Sequence, residues 1–208
     1  DPTYVLHWMN AWEEGDEVIL DGYFQEQPVP GPLEVNHPDP RMGHLMAFVD
    51  ENSFKPKLHR WRFNMKTGAC SEGHLDDRIL EFGSFNQERA GTRTRYAYST
   101  TTEPGWFLFT GAVKHDYETG QSQSLAFGKG RYGSEAPFAP RIGAVDEDDG
   151  YLVSFITDMV EDRSECVLID SKNFEAGPVC RIILPHRISS GTHAAWADGP
   201  RLRAAQAA

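Results

Sequence analysis

Leu58-His59-Arg60-Trp61-Arg62-Phe63-Asn64, followed by Met65-Lys66-Thr67-Gly68, has the same layout as Gly111-Ala112-Val113-Lys114-His115-Asp116, followed by Tyr117-Glu118-Thr119-Gly120. In each, a run of strand-forming residues ends in Asn or Asp, and a short turn closes on Gly. Cys166-Val167-Leu168-Ile169-Asp170 repeats the pattern with a longer turn that reaches Gly177. Asn or Asp at the head of such a turn can bond its own downstream backbone, and Gly supplies the positive φ. The turn glycines lie 52 residues apart from Gly68 to Gly120 and 57 from Gly120 to Gly177. A period near about 50 residues, each unit a few short strands, predicts propeller blades. The repeat is degenerate, so by itself it leaves a β-sandwich open.

Outside the repeat the chain still reads as all-β. Tyr4 to Met9 predicts a strand, and Val18 to Phe24 its return across a turn that takes in Glu13 and Glu14. A proline-rich loop runs from Gln27 to Pro40, and Leu45 to Val49 predicts a further strand. At about 50 residues per blade, 208 residues supply roughly half of a closed ring. Half a ring would leave sheet edges exposed, a liability in a free-standing protein. More chain is therefore expected before Asp1, with residues 1–208 forming the C-terminal part of one propeller domain.

Composition narrows the function. Charged residues make up 25% of the chain and hydrophobic ones 39%, as in a folded globular protein. The net charge of −11 argues against nucleic acid, and against more than peripheral contact with an anionic membrane. Cys70, Cys166 and Cys180 are odd in number and lack CxxC spacing. They are read as reduced thiols in a cytoplasmic setting, each a small buried side chain.

Eight histidines are present: His7, His37, His44, His59, His74, His115, His186 and His193. No pair has the spacing of a compact helical metal site. Spacing cannot reveal a site that gathers one ligand from each of several blades.

Five segments, in order, carry a resemblance that spacing does not. They are Pro2 to Glu14, containing His7-Trp8-Met9-Asn10-Ala11-Trp12-Glu13-Glu14; Glu81 to Asn86, leading to Thr94-Arg95-Tyr96-Ala97-Tyr98; Arg131 to Phe138; Asp146 to Val153; and Leu184-Pro185 through Gly191-Thr192-His193-Ala194-Ala195-Trp196. Together they resemble the carotenoid cleavage oxygenase family, which includes plant epoxycarotenoid dioxygenases and bacterial lignostilbene dioxygenases. The resemblance extends to about Gly199.

It implies a seven-bladed propeller with Fe(II) on the axis, held by four histidines and no carboxylate. Two of those positions match His7 and His193; the other two lie in the part of the family chain that precedes Asp1. Glu81 and Glu135 match the glutamates that orient metal-bound imidazoles. His186 is read as structural or exposed, and Glu13 and Glu14 as solvated. Asn10 and Trp12 would set the strand carrying His7. Trp8, Phe85 and Phe138 are candidates for an apolar tunnel, with core packing the plainer role for each. The family's last motif often reads Gly-Phe-His-Gly; here it is Gly191-Thr192-His193-Ala194, which alters the pocket lining and keeps the ligand.

The implied reaction is O2-dependent cleavage of a conjugated carbon–carbon double bond in an apolar small molecule (a carotenoid, an apocarotenoid or a stilbene) to two carbonyl products. The alternative is a non-catalytic propeller fragment that binds a ligand or partner, because this chain would carry half of the iron site.

Overall fold

The computed structural model describes residues 2–28, 39–42, 50–104, 108–189 and 191–206. His37, His44, the predicted strand Leu45 to Val49 and most of the proline-rich loop lie outside the described residues. The strands fall into three antiparallel meanders. Blade 1 runs β1 (Trp8–Glu14), β2 (Glu17–Gln25), β3 (Pro56–Asn64) and β4 (Cys70–His74). Blade 2 runs β5 (Leu80–Ser84), β6 (Tyr96–Thr102), β7 (Phe109–Asp116) and β8 (Gln121–Ala126). Blade 3 runs β10 (Phe138–Pro140), β11 (Gly150–Asp158), β12 (Arg163–Asp170) and β13 (Pro178–Ile183), and the short β9 (Arg131–Tyr132) also pairs with β11. The architecture is that of a β-propeller.

Each copy of the sequence repeat is the link from the third strand of a blade to its fourth. Asn64 Oδ1 accepts from the Lys66 and Thr67 N–H groups at 3.1 and 2.9 Å, and Gly68 takes φ 72°. Asp116 Oδ1 accepts from Glu118 and Thr119 at 3.0 and 3.4 Å, and Gly120 takes φ 69°. Asp170 Oδ1 accepts from Lys172 at 2.9 Å before a 3-10 segment, Ser171–Ala176, ends at Gly177. One turn chemistry serves all three blades, and the sandwich alternative falls away.

The first strand differs from its expected bounds. It begins at Trp8, ahead of which isolated bonds from the Tyr23 and Gln25 N–H groups to the His7 and Tyr4 carbonyls tie the chain to β2; a bulge lies between Trp8 and Asn10, and the strand continues through Glu13 and Glu14. Those two glutamates are strand residues, exposed as expected, and the turn is Gly15-Asp16. The cysteines also depart from expectation. Cys70 and Cys180 are exposed because each lies on the fourth strand, at the rim of its blade, and Cys166 is half-buried. All three are free thiols.

Apolar residues pack between the blades. Met9, Tyr23, Leu58, Leu80, Phe85, Ala97 and Val113 join blades 1 and 2. Tyr98, Ala112, Phe127, Phe138, Leu152, Ile156, Val167, Ile169 and Phe174 join blades 2 and 3. Neighbouring residues on β6, Ala97 and Tyr98, serve opposite clusters, as strand alternation requires. Each large side chain buried this way contributes about 1.5–3 kcal/mol. Phe85 and Phe138 are therefore core residues, whereas Trp8 is 54% exposed and packs edge-on to Trp61.

Polar ties fix the blades against one another. Arg60 donates twice to buried Asp21, at 2.8 Å each, with its guanidinium between the Trp12 and Tyr117 rings. Asn10 donates to the Thr92 carbonyl at 2.9 Å and accepts from Gly91 at 3.2 Å, which joins β1 to the loop ahead of β6. Lys114 bridges blades 2 and 3, donating to Asp148 at 2.7 Å and to the Ser171 carbonyl at 2.9 Å. No helix among the described residues is long and apolar enough to cross a membrane.

Two strand glycines separate packing from propensity. A Cβ on Gly111 would lie 2.3 Å from the Leu125 carbonyl oxygen, a backbone atom, whereas one on Gly73 would meet nothing within 4 Å. Gly111→Ala should destabilise the protein by about 1–3 kcal/mol in urea unfolding, and Gly73→Ala by less than about 0.5 kcal/mol.

His115, on the blade 1–2 interface, has its pKa lowered by burial, against the pull of Asp76. The unfolded chain binds this proton below pH about 6.5 while the folded chain resists it, so stability should fall on acidification through that value. Urea unfolding at pH 7.5 and pH 5 should show this loss, and His115→Gln should lessen it.

Candidate metal centre

His7 stands just before β1, where its carbonyl accepts from the Tyr23 N–H at 3.2 Å and so pins the residue to β2. Its Nδ1 meets Glu81 Oε2 at 2.7 Å. Glu81 is the second residue of β5 and wholly buried. The same Oε2 accepts from the Phe82 N–H at 2.6 Å, and Thr100 donates to the Glu81 carbonyl at 2.8 Å. Among the described residues Glu81 Oε1 is buried with no hydrogen-bond partner.

The second half of the centre comes from the other end of the chain. Glu135 lies between β9 and β10, and its N–H donates to the Thr192 carbonyl at 3.2 Å. Glu135 Oε2 accepts from the Ala194 N–H at 2.8 Å, with His193 Nδ1 at 3.4 Å. These bonds dock the Thr192–Ala194 segment against blade 3. The His7 and His193 rings then meet edge-on, with centroids 5.2 Å apart. His7 is half-buried, while the His193 side chain is 69% exposed.

All four site residues expected from sequence converge here. Asn10 supports β1 through its contacts with the loop ahead of β6, Trp12 through the Arg60 guanidinium within blade 1, and His186 is exposed.

Phe82 was not legible in the sequence. Its backbone takes φ 49°, left-handed space that a bulky side chain rarely enters and that costs on the order of 1 kcal/mol or more. A bulge between Glu81 and Ser84 accompanies it. The turned backbone brings the Phe82 ring 4.4 Å from His7, 5.3 Å from His193 and 4.7 Å from Phe109. Gly83 is the one nearby hint, since a Cβ there would meet Met9 and the Tyr23 hydroxyl at 2.3 and 2.5 Å.

Burial raises the Glu81 pKa against the pull of His7. Burial also works against a charged His7, but the Glu81 hydrogen bond and the charges of Glu81 and Glu135 outweigh it, and the His7 pKa is raised. A carboxylate that accepts Nδ1–H from a neutral imidazole leaves the Nε2 lone pair for a metal. Both histidines meet a carboxylate at Nδ1, so the donor set fits a divalent transition ion, with Nε2 of His7 and His193 as ligands. Among the described residues no group of three or more histidine, cysteine or carboxylate side chains could hold a metal.

Fold and site define a β-propeller with carboxylate-oriented histidines brought in from both ends of the described chain. The sequence profile of the retinal pigment epithelial membrane protein family (RPE65) matches residues 1–198, and the chain belongs to that family. It is 35% identical to a Crocus sativus carotenoid 9,10(9',10')-cleavage dioxygenase over 96% of this chain and 37% of that protein. Solved structures of a Synechocystis apocarotenoid oxygenase variant and of Pseudomonas brassicacearum lignostilbene dioxygenase share its fold, with TM-scores of 0.79 and 0.76. Each is 26% identical and covers 93% of this chain; this chain covers 39% and 41% of theirs. It spans little more than a third of the curated relatives' length.

Glu135→Ala should release the Thr192–Ala194 segment. Amide hydrogen exchange at Ala194 should speed up markedly while exchange in β11 and β12 stays unchanged.

Proposed function

We propose that this chain is the C-terminal part of an Fe(II)-dependent dioxygenase that cleaves a conjugated carbon–carbon double bond in an apolar substrate. The observation that carries this reading is the pairing of His7 with buried Glu81 and of His193 with Glu135, two imidazoles held with their Nδ1 atoms on carboxylates and their rings in contact. Family membership and the activities named for the relatives, on carotenoids, apocarotenoids and stilbenes, support it. His7 and His193 would supply two ligands to the iron, and ligands from the remainder of a longer chain would complete it.

Fe(II) in an all-imidazole environment keeps its full positive charge and supplies the O2 chemistry. The chain's own residues do the rest. Glu81 and Glu135 hold the two imidazoles in one tautomer and one orientation, and make them better donors. Phe82, beside both rings and backed by Phe109, presents an apolar wall to them and excludes water from that side. An electron-rich alkene needs position and a dry surround more than it needs a proton donor. Carotenoid-type and stilbene-type substrates both meet that description.

A non-catalytic binding module is the second reading. It is favoured by the limit of two candidate imidazoles, with no third ligand among the described residues.

The test is a preparation of this chain within its full-length parent, assayed with Fe(II) and O2 on a carotenoid, an apocarotenoid and a hydroxystilbene. Cleavage to two carbonyl products is expected, with stoichiometric iron that His7→Ala or His193→Ala removes. Glu135→Gln should lower activity about 10- to 100-fold. Tight substrate binding without turnover in the iron-loaded parent would select the binding module. Residues 1–208 alone should bind Fe(II) weakly.

A further inference from the structure

A second histidine pair lies away from this centre, on the outer hairpin of blade 1. His59 on β3 and His74 on β4 are directly cross-strand. The Leu75 N–H donates to the Leu58 carbonyl at 2.8 Å, which places the two histidines at a non-hydrogen-bonded position, where facing side chains come closest. Their Nδ1 atoms are 2.9 Å apart. Two ligands bound at 2.0–2.1 Å and about 90–110° to each other would be about 2.9–3.4 Å apart. The pair already has that spacing.

The far nitrogen of each ring faces a carboxylate. His59 Nε2 is 3.3 Å from Glu72 Oε2, and His74 Nε2 is 3.9 Å from Glu26 Oε1. Lys57 anchors Glu26 at 2.6 Å. Phe24 stacks on His59 with centroids 4.9 Å apart. Phe24, both histidines, both glutamates and Gly73 line a cavity of about 390 Å³ that gives access from solvent. The His59 side chain is 5% exposed and the His74 side chain 28%.

We propose that His59 and His74 chelate a divalent transition metal through their Nδ1 atoms, at a site distinct from the His7–His193 centre. Without metal, one Nδ1 donates its proton to the other. On binding, that proton moves to Nε2 of its own ring, so both rings become Nε2–H tautomers whose N–H groups point to Glu72 and Glu26. No proton leaves the pair, and His59 gains in Glu72, 3.3 Å away, the carboxylate partner that ligating histidines usually have, while Glu26 lies 3.9 Å from the His74 ring. Water would fill the other positions, since no third protein ligand is within reach among the described residues. Two neutral imidazoles with open positions suit Zn2+, Ni2+ or Cu2+ better than Mg2+ or Ca2+. Burial lowers the His59 pKa, which favours the neutral form such a site needs.

The experiment titrates Zn2+ into the 208-residue chain by calorimetry, in the wild type and in the His7→Ala/His193→Ala variant that lacks the other centre. One equivalent should remain in that variant, and adding His74→Ala should weaken it at least tenfold. Cu2+ bound to the His7→Ala/His193→Ala variant should show electron spin resonance couplings to two nitrogens, falling to one with His74→Ala. Thermal unfolding checks that each variant is folded. His59→Gln in the wild-type background, with loss of one equivalent, gives the same answer by a second route. Zn2+ affinity indifferent to His74→Ala and His59→Gln would overturn the proposal, as would loss of all binding in the His7→Ala/His193→Ala variant. The first result leaves the assignment of His7 and His193 untouched, and the second would place the bound Zn2+ at those two residues instead.

Discussion

Blade 2 is apolar on both faces, and the placement of every site residue follows from covering both at once. One face takes Met9, Tyr23 and Leu58 of blade 1; the other takes Phe138, Leu152 and Ile156 of blade 3. Sheets packed in this way cannot slide independently, because Asn10 and Lys114 also bridge between them through directed hydrogen bonds and the Arg60 guanidinium lies over the Tyr117 ring of blade 2. His7, ahead of blade 1, and His193, after blade 3, are 186 residues apart in the chain. They meet because the blade between them sets the distance.

Within that frame, Glu81 is the costly element. A wholly buried carboxylate is tolerated where hydrogen bonds replace water. Here one oxygen is shared between His7 Nδ1 and the Phe82 N–H, and the other has no partner among the described residues. The left-handed backbone at Phe82 turns its ring toward both imidazoles. Strain and an orphaned polar atom thus coincide at one point of β5, as they do at many functional sites. The His59–His74 pair draws its imidazoles from one hairpin and its nearby carboxylates from β4 and just past the end of β2, all within blade 1, where the first centre needs three blades.

The blade repeat was legible because its turn chemistry is local. Asn64, Asp116 and Asp170 bond their own downstream backbone, and glycines follow where φ is positive. The start of β1 was misplaced for the opposite reason. Its residues have strand propensity from Tyr4 onward, but ahead of Trp8 the segment meets β2 through isolated backbone bonds rather than a continuous ladder. The exposure of Cys70 and Cys180 was equally hidden, since residue type does not say which strand of a blade forms the rim.

The sequence by itself determined the class of fold, and named His7, His193, Glu81 and Glu135 through motifs whose order resembles one family. Tertiary structure decided their partners. Glu81 goes with His7 and Glu135 with His193 because blade packing fixes which strand ends face each other. It also decided the role of Phe82 and the proximity of His59 and His74. Those depend on a backbone torsion and a strand register, and neither is encoded by residue type alone.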